Sequence, residues 1–366
     1  MIRVLGMMSG TSMDGVDAAV IETDGVRICG VGRSGFRAYS DNESAALHAA
    51  LGRWPGDEGV DDAAALSVAS HAAIAADFPE AELIGYHGQT LAHDPQGRGT
   101  HQAGDGFALA QVTGRLVVWD FRGEDVRQGG EGAPLVPFFH WACADWAVGH
   151  GHLPNQPVAF LNLGGVGNIT WVDPTAPTPE APGACLAFDT GPANAPINDL
   201  MRRRLRRSHD EGGALAAAGA ADGAIVAEFL RHPWFDRPPP KSLDRDQFIS
   251  LSQAVERLTD ADAAATLVGA LAGSVAAGFR WLPHVPSVLL VCGGGRRNPV
   301  IMARLAEALP CEVRPVEAAG LDGDMLEAQA FGWLAARVIR GLPTSGPTTT
   351  GVPAPCCGGR ISHPRR

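Results

Sequence analysis

Residues 2–22 read IRVLGMMSGTSMDGVDAAVIE, and the way this stretch turns decides the fold. Residues 2–8 are predominantly apolar and read as a buried strand. Ser9 to Gly15 is turn chemistry, and Val16 to Glu22 reads as a second strand. The stretch is therefore a hairpin. A Walker-type phosphate loop needs Gly-Lys-Ser/Thr opening a helix, and here there is no lysine and no helix follows. A dinucleotide-binding fold fails for the same reason. What remains is a hairpin tip offering backbone amides, the hydroxyls of Ser9, Thr11 and Ser12, and Asp14 as an acid.

A second strand–turn–strand recurs at Val158 to Leu163, Gly164 to Asn168 and Ile169 to Val172, which hints at an internal duplication. A third glycine-rich strand end follows Val288 to Cys292, where Gly293-Gly294-Gly295 precedes a helix with Asn298 as its cap and Pro299 at its first position. Between them, 44–52 and 62–76 have helical character. Short strands at Leu83 to Tyr86 and Leu116 to Trp119 end in His87-Gly88-Gln89-Thr90 and Asp120-Phe121-Arg122. Residues 196–207, 211–231 and 261–281 read as helices, as does about 324–340, which carries Glu327. After Gly341 turn chemistry dominates, and the tail is expected to pack back as a short extended segment.

Composition narrows the classes. The 366 residues suffice for two domains with their own cores, and 45% apolar content with mean hydropathy +0.01 fits a globular protein. A net charge of −11 argues against a general nucleic-acid binder, and the basic run Arg202 to Arg207 reads as a solvated helix face. No apolar run approaches a membrane span, and residues 1–6 lack a signal-peptide core. The seven cysteines are scattered without a metal spacing, which points to reduced thiols and a cytoplasmic address.

The apolar run Cys185 to Phe188 leads into Asp189-Thr190-Gly191-Pro192-Ala193-Asn194. This sets a carboxylate in a turn at a strand's end, where it suits a general base or simply a turn former. Three glycine-rich strand ends in this order suit a nucleotide held between lobes, with Gly293 to Gly295 allowing close backbone approach. The order resembles the actin-like superfamily of sugar kinases, Hsp70-type chaperones and actins.

Within it, the segments Met8 to Asp17, Gly85 to Thr90, Asp120-Phe121-Arg122, Gly132 to Pro137, Asn162 to Gly165, Phe188 to Pro192, Pro239 to Ser242 and Glu327-Ala328 resemble the anhydro-N-acetylmuramic acid kinases. The resemblance runs in the family's order over nearly the whole chain. It implies an α/β, two-lobed actin-like ATPase fold, ribonuclease H-like and duplicated, with an interlobe cleft. The lobes would be 1–136 and 137–342, with a tail, 343–366, on the first. It also implies a homodimer that uses ATP and Mg²⁺, with an amino sugar rather than nucleic acid or membrane as partner.

The family opens 1,6-anhydro-N-acetylmuramic acid, a cell-wall breakdown product, with water and phosphorylates O6 in the same step. Carried over, Asp189 matches the catalytic base and residues 9–16 the ATP-binding stretch. Departures are Ala193 where glycine is usual, which requires a turn that avoids positive φ or tolerates strain, and Glu131 in place of glutamine; Gly167 and Arg127 also differ.

The chemistry assigns further roles. Opening the bridge is glycoside hydrolysis in which the leaving O6 takes the γ-phosphoryl group, so one base suffices. Asp189 is the first choice, with Glu327 second or as a sugar ligand. Ser9, Gly10, Thr11, Ser12, Met13, Asp14, Gly15 and Val16, with Asn162, Gly164, Gly165 and Gly293 to Gly295, are expected at the nucleotide, and Asp14 at the metal. His87, Gln89, Thr90, Asp120, Arg122 and Asn194 are expected at the sugar, Arg122 toward its lactyl carboxylate unless it pairs with Asp120 or Asp125. Lys241 is either a charge stabiliser or an exposed lysine. A kinase of another anhydrosugar such as levoglucosan, a non-catalytic nucleotide switch, and a degenerate pseudo-kinase are the alternatives.

Overall fold

The computed structural model describes residues 1–10, 12–243 and 247–365, so Thr11 lies outside the described residues. Two compact units emerge: residues 1–146 with 177–182 and 324–366, and residues 147–176 with 183–323. Each is built on one mixed sheet.

In the first unit, β1 (Ile2–Ser9), β2 (Gly15–Thr23) and β3 (Ile28–Ala38) form an antiparallel meander. β1 also pairs in parallel with β4 (Leu83–Asp94), which pairs in parallel with β6 (Leu116–Trp119) and carries β5 (Gly99–Ala103) on its distal half. In the second unit, β7 (Val158–Leu163), β8 (Val166–Val172) and β9 (Cys185–Pro192) repeat the meander. β7 then pairs in parallel with β10 (Val288–Cys292), and β10 with β11 (Glu312–Pro315). The same strand order twice is the duplication suspected from the two glycine turns, and it is the topology of the actin-like fold. The tail adds β12 (Arg360–Ser362), antiparallel to β6.

The helix Leu326–Ile339 packs on β1, β2 and β4 of the first unit, although the sequence places it in a lobe ending at 342. The reason is glycine. A Cβ on Gly6 would stand 1.8 Å from the Ala328 carbonyl oxygen, and one on Gly85 2.1 Å from that of Phe331. With no side chains there, the helix backbone rests directly on the strands and buries Ala328, Phe331, Trp333 and Leu334 completely or nearly so.

Other boundaries moved for local reasons. The proposed helix 211–231 breaks into Ala214–Ala217 and Gly223–Leu230, preceded by left-handed Gly212 and Gly213 at φ +61° and +70°. The basic run begins in a π-turn, Met201–Leu205. Arg203 and Arg204 pair with Glu256, and Arg204 also with Asp260, so this run is partly docked rather than simply solvated. Asp260–Trp281 does meet the length and hydropathy of a membrane span, against expectation, yet 67% of its apolar window is buried. It is the core helix of the second unit, where Leu267, Val268, Leu271 and Val275 meet Ile169 and Phe188.

Gly6→Ala should destabilise the protein by about 3 kcal/mol or leave it insoluble, since overpacking against backbone has no cheap relaxation. Gly223→Ala, which meets open space, should change little. Urea midpoints of the two variants check this, and equal midpoints would contradict the packing.

Candidate active site

Asp189 is not in a turn. It lies inside β9, which runs to Pro192 because Gly191 and Gly167 pair across the sheet and a register shift follows at Asn168. Asn162 of β7, Asn168 of β8 and Asp189 of β9 are successive cross-strand partners. Directly paired residues share a sheet face, so these three form one polar row. Asn168 was missed from sequence because it sits in an Asn-Ile-Thr string with no family motif around it; only register reveals it.

The backbone around residue 241 holds the carboxylate. The Asp189 amide donates to the Lys241 carbonyl at 3.0 Å, and the Leu243 amide donates to Asp189 Oδ2 at 2.8 Å. Oδ1 has no partner among the described residues. Burial pushes the Asp189 carboxyl up to about 7, against the lowering pull of the Leu243 amide and the Lys241 charge. Such a group is close to half ionised at neutral pH and can both take and hold a proton.

Lys241 is buried, not exposed. Its Nζ lies 4.3 Å from the Trp234 ring centre and 3.3 Å from the Phe235 carbonyl oxygen, a cation–π contact inside an aromatic wall. Burial, and then the charges of Arg280 and Arg237, lower its ammonium to about 8.

The glycines of this unit gather beside the hairpin turn. The amides of Ala193 and Asn194 donate to the carbonyls of Gly165 and Gly164 at 3.0 and 2.9 Å. Asn194 Nδ2 donates to the Leu163 carbonyl at 2.7 Å, so its side-chain amide is committed to the scaffold. Gly293 has φ +71°, and a Cβ there would meet Asn162 Oδ1 at 2.4 Å; Gly294 and Gly295 continue into a 3-10 turn before the Asn298 cap. Gly164 and Gly165 are open, with no heavy atom closer than 3.5 Å to an added Cβ. Ala193 has φ −119°, so the missing glycine imposes no left-handed strain.

In the first unit the turn after β1 divides into scaffold and surface. Ser9 is buried, its Oγ donating to Gln89 Oε1 at 2.5 Å, while Gln89 Nε2 donates to the Gly10 carbonyl at 3.1 Å. Both residues therefore brace the turn. Met13 is left-handed at φ +52° and drives its side chain into the core beside Leu47 and Leu91; Val16 is core as well. Gly15 is closed by the Arg37 carbonyl. Gly10 has room, and exposed Asp14 accepts from Ser12 Oγ at 2.7 Å.

His87 and Arg122, both expected at the sugar, are bonded to each other. Arg122 Nε donates to His87 Nε2 at 3.0 Å, and His87 Nδ1–H donates to the Gly88 carbonyl at 2.9 Å, which keeps the ring neutral. Burial, followed by the Arg122 charge, holds the imidazole well below its usual range. Burial lowers Arg122 to about 10, still cationic at neutral pH. Its Nη1 donates to the Gly132 carbonyl at 2.8 Å, and Nη2 has no partner among the described residues.

Glu327 is reached by solvent and accepts no hydrogen bond from a described residue. The protein packed around it raises its carboxyl, opposed by Arg122. Neither feared ion pair of Arg122 forms a hydrogen bond: Asp120 pairs with Arg360 at 3.0 Å, and Asp125 accepts from the tail. Thr90 accepts from Gln102 at 3.3 Å. His87, Gln102, Trp119 and Asp120 also border a polar cavity of about 250 Å³.

A family model described as anhydro-N-acetylmuramic acid kinase matches residues 59–364. The chain belongs to the anhydro-N-acetylmuramic acid kinase family. Relatives bearing that name include one from Cereibacter sphaeroides, 63% identical over 99% of this chain and 96% of its own length. One from Ruegeria sp. is 56% identical over 99% and 95%. A solved ROK family glucokinase from Streptomyces griseus overlaps only loosely, at a TM-score of 0.41 and 14% identity over 92% of this chain and 99% of that one. Membership makes the protein an enzyme of the kinase class.

The raised Asp189 carboxyl binds its proton more tightly in the folded state than in the unfolded chain. Stability is therefore lost as pH climbs from about 4 to about 7, and the loss is complete above. Asp189→Asn should melt a few degrees higher than the wild type at pH 8 and no higher at pH 4. Thermal melts across that range check this; a constant offset would contradict it.

Proposed function

We propose that this chain uses ATP and water to convert 1,6-anhydro-N-acetylmuramic acid into N-acetylmuramic acid 6-phosphate, as a step in the recycling of cell-wall sugar. The observation that carries the reading is the Asp189 carboxylate, held by the Leu243 amide with its second oxygen available and poised near 7. In the proposed step Asp189 removes a proton from water as the water oxygen bonds to C1. The C1–O6 bond breaks, O6 bonds to the γ-phosphorus, and ADP departs. Phosphoryl capture of O6 replaces the general acid that a glycosidase would need.

Binding roles follow from what each side chain has left to offer. The spare Nη2 of Arg122 suits the lactyl carboxylate, while Nε and Nη1 fix its plane through His87 and Gly132. Glu327, unbonded and solvent-reached, suits a sugar hydroxyl better than the role of base. Open backbone at Gly10, Gly164 and Gly165 suits phosphate oxygens.

Mg²⁺ held with the nucleotide would supply neutralisation of phosphate charge. Among the described residues no three His, Cys, Asp or Glu side chains gather around a common point. Asp14, exposed and steadied by Ser12, is the carboxylate suited to an outer role through water.

Asp189→Asn should lower kcat by about 10²–10⁴, the usual contribution of a positioned base. The wild-type kcat/KM should fall on the acid side of about 7. Lys241→Met removes a charge that favours the carboxylate, so this limb should move to higher pH. A coupled ADP-release assay over pH measures all three, and full turnover by Asp189→Asn would defeat the assignment. In the same assay Arg122→Gln should raise KM for the muramic sugar and leave weak activity on levoglucosan, which has no carboxylate, unchanged. Equal effects on the two sugars would contradict the role given to Arg122.

A further inference from the structure

We infer that the C-terminal tail is a working part of the sugar site, with Asp125, Ser345 and Thr350 as positioning residues for Arg122; this rests on the sugar-binding role proposed for that arginine. Asp125, at the centre of the short helix Gly123–Arg127, is fully buried, and among the described residues no cation bonds its oxygens. It is satisfied by donors instead. Oδ2 accepts from Thr350 Oγ1 at 2.6 Å and from Ser345 Oγ, and Oδ1 accepts from the Gly132 amide at 2.7 Å.

The loop 130–132 is held at every residue. The Gly130 amide donates to the Asp125 carbonyl at 2.9 Å, and the Glu131 amide donates to the Thr350 carbonyl at 2.7 Å. The amide of Gly132 goes to the Asp125 carboxylate, and its carbonyl takes Arg122 Nη1. A relay therefore runs from the tail hydroxyls through Asp125 to Gly132 and on to the guanidinium.

Two further details argue for a built device. A Cβ on Gly130 would stand 2.2 Å from Asp125 Oδ1, and Gly132 has φ +66°, so the glycines are what let the loop close on the carboxylate. A tail that merely covered core surface would need no buried carboxylate, since a buried charge is unfavourable unless its hydrogen bonds are met. Here two of the three donors come from more than 200 residues away in sequence.

The test is steady-state kinetics on the full chain with Thr350→Val, Ser345→Ala and their combination, in the wild type and in Arg122→Gln. The double variant should raise KM for 1,6-anhydro-N-acetylmuramic acid about tenfold, what one lost hydrogen bond to a charged group is worth. KM for ATP and kcat should stay within about twofold. In Arg122→Gln the same substitutions should add almost nothing, because their effect passes through the missing guanidinium. Should the double variant not fold, Thr350→Val reads the effect alone, with Thr350→Ser, which keeps the hydroxyl, restoring the wild-type KM.

Equal losses in both backgrounds, or a fall in kcat with an unchanged sugar KM, would overturn the inference. If Arg122→Gln raises the sugar KM but the tail variants do not, the inference fails alone. If Arg122→Gln itself leaves that KM unchanged, the sugar-site reading fails with it.

Discussion

The Leu243 amide holds the Asp189 carboxylate in surroundings that disfavour its charge, and the proposed chemistry depends on that opposition. A freely solvated aspartate would be a weak base, fully ionised at neutral pH with little affinity for a proton. One buried without a donor would stay protonated and could not act. The amide and the nearby Lys241 ammonium pull the carboxyl down while burial pushes it up, and the balance falls near the working pH. Lys241 has a second effect through its backbone, because its carbonyl accepts from the Asp189 amide. Burying that lysine among Trp234, Phe235 and Phe188 therefore fixes at once the charge that favours the carboxylate and the carbonyl that takes the Asp189 amide.

The first unit handles charge differently. Arg122 is planar and always cationic, so its value lies in aim rather than in proton affinity. A neutral histidine acceptor on one side and the Gly132 carbonyl on the other set its plane. The glycines there do structural work of two kinds. Gly6 and Gly85 let the helix that carries Glu327 lie on the strands, and the Gly130–Gly132 loop closes over Asp125. The result is a pair of units with one topology and unlike chemistry, proton transfer assigned to one and carboxylate recognition to the other.

Much of this was legible from sequence, for identifiable reasons. Both hairpins could be read from alternating apolar strands around glycine turns, and the Asn298–Pro299 helix start from capping chemistry alone. Of the two outcomes open at Ala193, an unstrained turn or a strained one, φ −119° is the first. What escaped was long-range. β3 is rich in glycine and arginine and lies half-exposed at a sheet edge, so it carries no apolar signature. Asp189 was read as a turn residue because Gly-Pro follows it, whereas strand pairing carries β9 through both. Ser9 and Gln89 were expected at ligands, and their side chains also brace each other 80 positions apart, a contact no local pattern encodes. The burial of Lys241 and the partners of Asp125 depend on contacts that no local pattern encodes.

The most direct measurement runs the reaction in ¹⁸O-water and locates the label by mass spectrometry at early time, before the anomeric hydroxyl can exchange. Heavy oxygen should appear on C1, none in the phosphate, with one ADP released per labelled sugar and both signals lost together in Asp189→Asn. A phosphorylated product lacking the label, or labelled phosphate, would mean that water does not open the ring in concert with phosphoryl capture, and the role given to Asp189 would fall.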